Sequence, residues 1–150
     1  MSSEQHSIIE ERIRAFPDLL AEMPGALGEL ADFLGVPDYR FTRDGLEALA
    51  QALSIFLSNA DLGTIDDEQR IWLHTRIMYL IGELLSERHG AHWSLQSDPD
   101  SDFYGHYVVG GFRHDADRLA DTAAAAYELL NEEPPRDLLG AIERLGTAPR

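Results

Sequence analysis

Three groups of side chains carry enough chemistry to be candidate sites. Asp98, Asp100 and Asp102 stand at alternate positions of an acidic run, hard oxygen ligands at the spacing a calcium loop uses. Counted from Asp98, however, the position that needs a turning glycine is Phe103 and the one that needs a bidentate glutamate is Val109, so the calcium pattern is not met. Carboxylates this close repel one another unless something cationic meets them, and a solvated loop facing a basic partner is expected. His89, His92 and His106, with His114 close behind, form the second group. Imidazoles bind transition metals and exchange protons near neutral pH, but a centre needs three groups to converge. His106 could lie across a hairpin from His92 or Ser94, where opposed β-carbons are ~5 Å apart; the sequence leaves that register open. The third group is Trp72, Arg76, Tyr79 and Glu83, at three- and four-residue spacing along one helix edge. Tryptophan, tyrosine and arginine dominate binding energy at desolvated interfaces, and the same spacing equally fits rings packed beneath a neighbouring helix.

What is missing narrows the chemistry. The 150 residues contain no cysteine, so there is no disulfide framework, thiolate nucleophile or zinc ribbon. All 12 basic residues are arginine, which removes Schiff-base lysines and the Walker A lysine. No HExxH, GxSxG or HxE…CxxC arrangement occurs, and Gly110-Gly111 has no phosphate-loop context. No cofactor is expected, and a non-catalytic reading is favoured over an enzyme. With 27 acidic residues the net charge is −15, spread along the whole chain. Such a surface repels phosphate backbones and anionic lipid, so nucleic-acid and membrane partners are not expected, whereas a basic protein is favoured electrostatically. No run reaches the ~18 apolar residues of a membrane span and no leader pattern opens the chain, so the cytoplasm is the expected compartment. Abundant Ala, Leu and Arg without Lys fits a GC-rich, bacterial coding sequence.

The elements that must position these groups follow from periodicity. Ile9, Ile13 and Phe16 recur at helical spacing after Ser7 and Glu10, a capping-box pair, and predict a first helix ending near Phe16. Pro17 to Met23 reads as a short turn of helix. Leu27, Leu30, Ala31 and Leu34 then make a new stripe that Gly35 and Pro37 stop. Residues 44–62 form the clearest amphipathic helix, with Leu46, Leu49, Ala50, Leu53, Phe56 and Leu57 inside a ~120° arc. The stretch Asp66 to Arg88 is apolar in nearly every direction, which predicts a central buried helix capped by Thr64 and closed by Gly90. Gly82 inside it costs about 1 kcal/mol relative to alanine and implies a close crossing. Between 91 and 111 the period changes to two. Trp93 and Leu95, then Phe103, Gly105, Tyr107 and Val109, predict a β-hairpin around the acidic loop, ended by Gly110 and Gly111. Helices follow from Asp115 to Asn131 and from Leu138 to Gly146. The expectation is a single α+β domain, 1–150, mainly helical, with about six helices around a central buried one and an inserted hairpin whose open edges could pair with a second copy.

Tyr79-Leu-Ile-Gly-Glu83, then Gly90, Trp93 and the strand Tyr107-Val-Val109, resemble a group of small uncharacterised bacterial domains. In these a helix with a Tyr-Leu-Gly-Glu-like stretch ends in a glycine pair and a Trp-containing strand follows. Ile81 is an extra residue here, and Ala91 stands at the second glycine. Some such domains accompany polymorphic toxins as immunity proteins. The resemblance, over residues 79–112, therefore implies binding of a toxin domain rather than turnover. Three readings result: a non-catalytic acidic protein-binding domain, immunity-like, using Asp98, Asp100, Asp102, Trp72, Arg76 and Tyr79; a small metal-dependent enzyme or ligand-binding protein on His89, His92 and His106; and a homodimeric scaffold joined through hairpin edges.

Overall fold

A computed structural model of the chain describes residues 3–147, with side chains from residue 7 onward; the outermost residues of the predicted 1–150 domain lie outside the described range. The element order is α1 (Ser3–Leu34), α2 (Arg43–Asn59), a 3-10 turn (Leu62–Thr64), α3 (Asp67–His89), β1 (His92–Leu95), β2 (Tyr107–Phe112), β3 (Asp115–Ala120), α4 (Thr122–Asn131) and α5 (Leu138–Thr147). The chain is thus mainly helical, with a small antiparallel sheet.

The two predicted N-terminal helices are one. α1 runs through Pro17 and Pro24, and Ser7, the predicted cap, lies within it. An internal proline removes one hydrogen bond and costs ~3 kcal/mol. The carbonyls released are those of Ile13 and Leu20, both exposed residues, so water can satisfy them. A continuous apolar seam offsets the remaining cost. Met23, Leu27 and Leu30 are buried in the core, and four further apolar positions continue their 3-4 spacing towards the N-terminus.

α3 is the centre of the molecule, packing against α1, α2, α4, α5, β1 and β2. Its cap is Asp66, not Thr64: the Asp66 carboxylate accepts from Gln69 N at 2.8 Å, and the Gln69 side chain accepts from Asp66 N at 3.1 Å. At the other end Gly90 takes the left-handed conformation, φ 69°, and Arg113 donates to Arg88 O at 2.7 Å. A cation is thereby set against the negative end of the helix. The close approach at Gly82 is real, but a side chain makes it. The Trp93 indole from β1 occupies the space a Cβ would need.

Where a hairpin was expected there are three strands in the order β1-β2-β3. Trp93 opposes Val109 and Leu95 opposes Tyr107, so the second strand begins at Tyr107 rather than Phe103. β2 does not end at the glycine pair. A Cβ at Gly110 would lie 2.7 Å from the Leu119 side chain, and Gly111, φ 73°, accommodates the register shift. Residues 115–120, predicted as the start of a helix, instead pair with β2. Asp-Ala-Asp-Arg-Leu-Ala tolerates either state, and the open edge of β2 together with the cap at Asp121, which accepts from Ala124 N at 3.0 Å, decides for a strand. One predicted free edge is therefore filled, leaving β1 and β3 as the sheet's edges.

Candidate docking surface

The last turns of α1 and α2 and the first turns of α3 leave a groove of about 320 Å³. Its walls are the rings of Phe33, Phe56 and Trp72, its floor includes Ile65 and Leu73, and Glu68 and Gln69 stand at its lip. Phe33 meets Phe56 edge-on at 5.4 Å and Trp72 at 5.5 Å, geometries that aromatic quadrupoles favour. Phe33 is nonetheless 55% exposed. Arg76 lies over the Trp72 ring, its Cζ 4.2 Å from the centroid. It donates to Trp72 O at 3.2 Å and pairs with Glu29 at 2.9 Å, while its Nε is buried with no partner. The cation is thus held rigidly on the face of the tryptophan. An apolar wall with a fixed aromatic and a fixed guanidinium is suited to gripping an apolar side chain of a partner.

Of the helix-edge residues singled out from the sequence, Trp72 and Arg76 line or flank this groove. Tyr79 does not reach the surface: it is 3% exposed, and burial, together with Glu22, raises its hydroxyl pKa above the ordinary value. Burial is also the first cause of the raised Glu83 carboxyl. Glu83 accepts from Trp93 Nε1 at 3.3 Å. Phe33 and Phe56 escaped the sequence reading as site residues. Phe56 counted as core face, and Phe33 has no partner until α1 is seen to be a single helix.

The acidic loop lies elsewhere. It folds on itself: the Asp98 carboxylate accepts from Asp100 N at 2.9 Å, Gln96 Oε1 from Asp98 N at 2.9 Å, and Ser101 Oγ from Phe103 N at 3.1 Å. Asp98, Asp100 and Asp102 are all exposed. The loop is tied to the first half of α1, where Arg12 donates to Gly105 O and the Tyr107 hydroxyl donates to Arg12 O at 2.8 Å. From Arg12 to Phe33 is about 30 Å of helix at 1.5 Å per residue, so one small ligand cannot touch both loop and groove.

The three histidines are not brought together. β1 pairs with β2 so that His92 faces Gly110, and His106 sits beyond the ladder opposite Gln96. Four residues of strand, about 13 Å, separate it from His92. His89 instead meets His114 edge-on at 5.5 Å beside Phe112. Burial first, then His114, lowers its pKa. His106 Nδ1 lies 2.7 Å from Asp121, in a shallow cleft with Arg12 and Tyr107. Asp121 caps α4 at the same time, and the Tyr107 hydroxyl is already engaged. Among the described residues no three His, Asp or Glu side chains stand close enough to hold a metal. A further cavity of about 380 Å³ contains Arg70 and Arg136, but both guanidiniums donate to main-chain carbonyls. Arg136 reaches Ala60 O at 2.8 Å, after α2, and Arg70 reaches Leu130 O at 3.4 Å, in the last turn of α4, so both close helix ends.

Among the described residues these features make up a mainly helical fold with an aromatic groove and an acidic loop remote from it. Compared with known protein families, curated proteins and solved structures, the chain matches none. No helix among the described residues is long and apolar enough to cross a membrane.

Proposed function

We propose that this chain is a non-catalytic protein-binding domain that neutralises a basic partner in an immunity-like manner, holding an apolar anchor of that partner in the Phe33–Phe56–Trp72 groove. The observation that carries the reading is the groove itself. Three aromatic rings line it, Phe33 exposed and Phe56 and Trp72 half-buried, with a guanidinium stacked on Trp72, and partly exposed aromatic clusters of this kind mark interaction sites. The charge of −15 supports a cationic partner, since complementary fields speed encounter and suppress wrong partners. Asp98, Asp100 and Asp102 then act as a second, electrostatic contact for a partner large enough to span both regions. The resemblance over residues 79–112 supports the same class of function.

The test uses an amphipathic peptide of leucine and lysine at helical spacing, about 30 residues long so that as a helix of ~45 Å it can span groove and loop, titrated while the heat of binding is followed. Binding is expected to weaken as salt rises. Trp72→Ala is expected to weaken it by at least tenfold, about 1.4 kcal/mol. Converting all three loop aspartates to asparagine should flatten the salt dependence more than it lowers the affinity at high salt. Binding indifferent to salt, or unchanged by Trp72→Ala, overturns the reading.

A further inference from the structure

We infer that the cavity between the end of α2, the 3-10 turn and the end of α4 binds a small zwitterion of the amino-acid class, its carboxylate on Arg136 and Arg70 and its ammonium at an acidic rim. The cavity measures about 380 Å³, near the lower end of the range for small-molecule pockets, and shares no lining residue with the aromatic groove. Arg136 is 5% exposed. Its Nη1 donates to Leu57 O at 3.1 Å and Ala60 O at 2.8 Å, while its Nε is buried with no partner and its Nη2 donates to no acceptor among the described residues. Closing the end of α2 therefore leaves unused the Nε–Nη2 edge, by which a guanidinium grips a carboxylate through two parallel bonds. Buried charges are ordinarily paired. Among the described residues neither Arg136 nor Arg70 forms an ion pair, whereas Arg76, whose Nε is also buried without a partner, has Glu29. The ends of α2 and α4 offset only roughly half a charge each, so two guanidiniums beside one cavity leave room for an anionic group.

The rim decides the rest of the ligand. Asp61, Glu132 and Glu133 also line the cavity, and all three are exposed while Arg136 is buried and Arg70 half-buried. Carboxylates thus stand towards the mouth and guanidiniums within. A simple anion would have to pass that rim and the field of a chain carrying −15, and a simple cation would meet the guanidiniums. A molecule with both charges and no net charge is repelled by neither, and can place each sign against its opposite. Leu130 and Pro134 add apolar wall, which suits an aliphatic side chain.

The test titrates the full, isotope-labelled chain at pH 7 with L-leucine while backbone amide shifts are followed. Saturable shifts at residues 60–63 and 131–133 are expected, with the amides around Trp72 unmoved. N-acetyl-L-leucine lacks the ammonium and L-leucinamide lacks the carboxylate, and each should bind about tenfold more weakly, as loss of a charge-assisted contact predicts. Arg136→Lys keeps the charge but loses the two-pronged edge, and should weaken leucine by a similar factor. A second variant leaves the end of α2 untouched: Glu132→Gln with Glu133→Gln, both at exposed positions, should weaken leucine yet strengthen N-acetyl-leucine, a crossed effect that a merely structural role would not produce. No shift with leucine, or equal binding of leucinamide, N-acetyl-leucine or inorganic phosphate, overturns the inference. So does tighter leucine binding by the double variant, which would mean that the glutamates themselves occupy the guanidinium edge. None of these outcomes bears on peptide binding by the groove.

Discussion

The two halves of α1 have the same kind of sequence and opposite surroundings. Both carry apolar residues in 4-3 steps, both include a proline, and both are helical. In the second half the seam meets α2 and α3 and is dry. In the first it meets the edge of a small sheet on one side and water on the other. Periodicity therefore reports that a helix has an apolar face, and says nothing about whether its own chain supplies the cover. Aromatic Phe33, at the end of the covered half, shows the same lesson on a smaller scale, since its neighbours Phe56 and Trp72 surround it only in part.

The sharpest way to break this comparison is truncation on each side of it. Leu27→Ala removes a fully buried side chain and is expected to cost about 2–5 kcal/mol, whereas Ile13→Ala on the exposed half should cost under ~1 kcal/mol. Urea denaturation measures both. Equal losses would mean that the first half is covered within a single chain.

A second, intermediate effect is expected at Gly82, where the covered half of the bundle meets the sheet. Gly82→Ala forces a methyl into the Trp93 indole. Overpacking of this kind costs typically ~1–3 kcal/mol, against a gain of about 1 kcal/mol in helix propensity. A net loss in melting temperature is the expected result. The variant Gly82→Ala with Trp93→Phe should recover part of it, because the smaller ring vacates the space. A stabilised single variant would show that α3 and β1 are not in close contact.

A third comparison concerns exchange with solvent. Amides of residues 8–14 should exchange hydrogen faster than those of 26–32, because the first half has few buried contacts to hold it.

How much of this was legible in the sequence depends on which interaction decides each element. The amphipathic helix at 43–59 and the all-round apolar helix at 67–89 could be read because burial pattern and end signals agree there. The cap at Asp66 was missed by two residues because Thr64 is an equally good capping residue and the 3-10 turn that uses it is invisible to periodicity. β3 could not be read, since nothing in Asp-Ala-Asp-Arg-Leu-Ala distinguishes strand from helix until β2 offers an edge. The same gap hid the His106–Asp121 pair, which depends on where that strand ends. At the candidate site, Trp72 and Arg76 were legible as a helix edge rich in binding residues. Tyr79 shared the spacing but points into the core, a difference that arises from which helix lies alongside and not from α3 itself.

The smallest effect tests how dry the covered half is. Tyr39, just after α1, has a hydroxyl with no partner, and burial first, then the nearby Glu83 charge, pushes its pKa up to about 12. Glu83 in turn is raised by burial, although Trp93 Nε1 donates to it. A carboxyl whose folded pKa exceeds its unfolded value binds the proton more tightly when folded. Its contribution to stability is full below the unfolded value and is lost as pH rises through the folded one. At neutral pH the Glu83 charge thus weakens the fold, and Glu83→Gln, which keeps an oxygen acceptor for Trp93, is expected to melt higher than the wild type at pH 7 but not at pH 4. His89 acts with the opposite sign. Its lowered pKa leaves stability intact above the ordinary histidine range and erodes it as pH falls below, in both wild type and variant, so it cancels in the difference between them. A Glu83→Gln advantage that fails to grow between pH 4 and pH 7 would mean that water reaches this carboxylate, and the contrast between a dry and a wet half of α1 would not extend to the face of α3 near Tyr39.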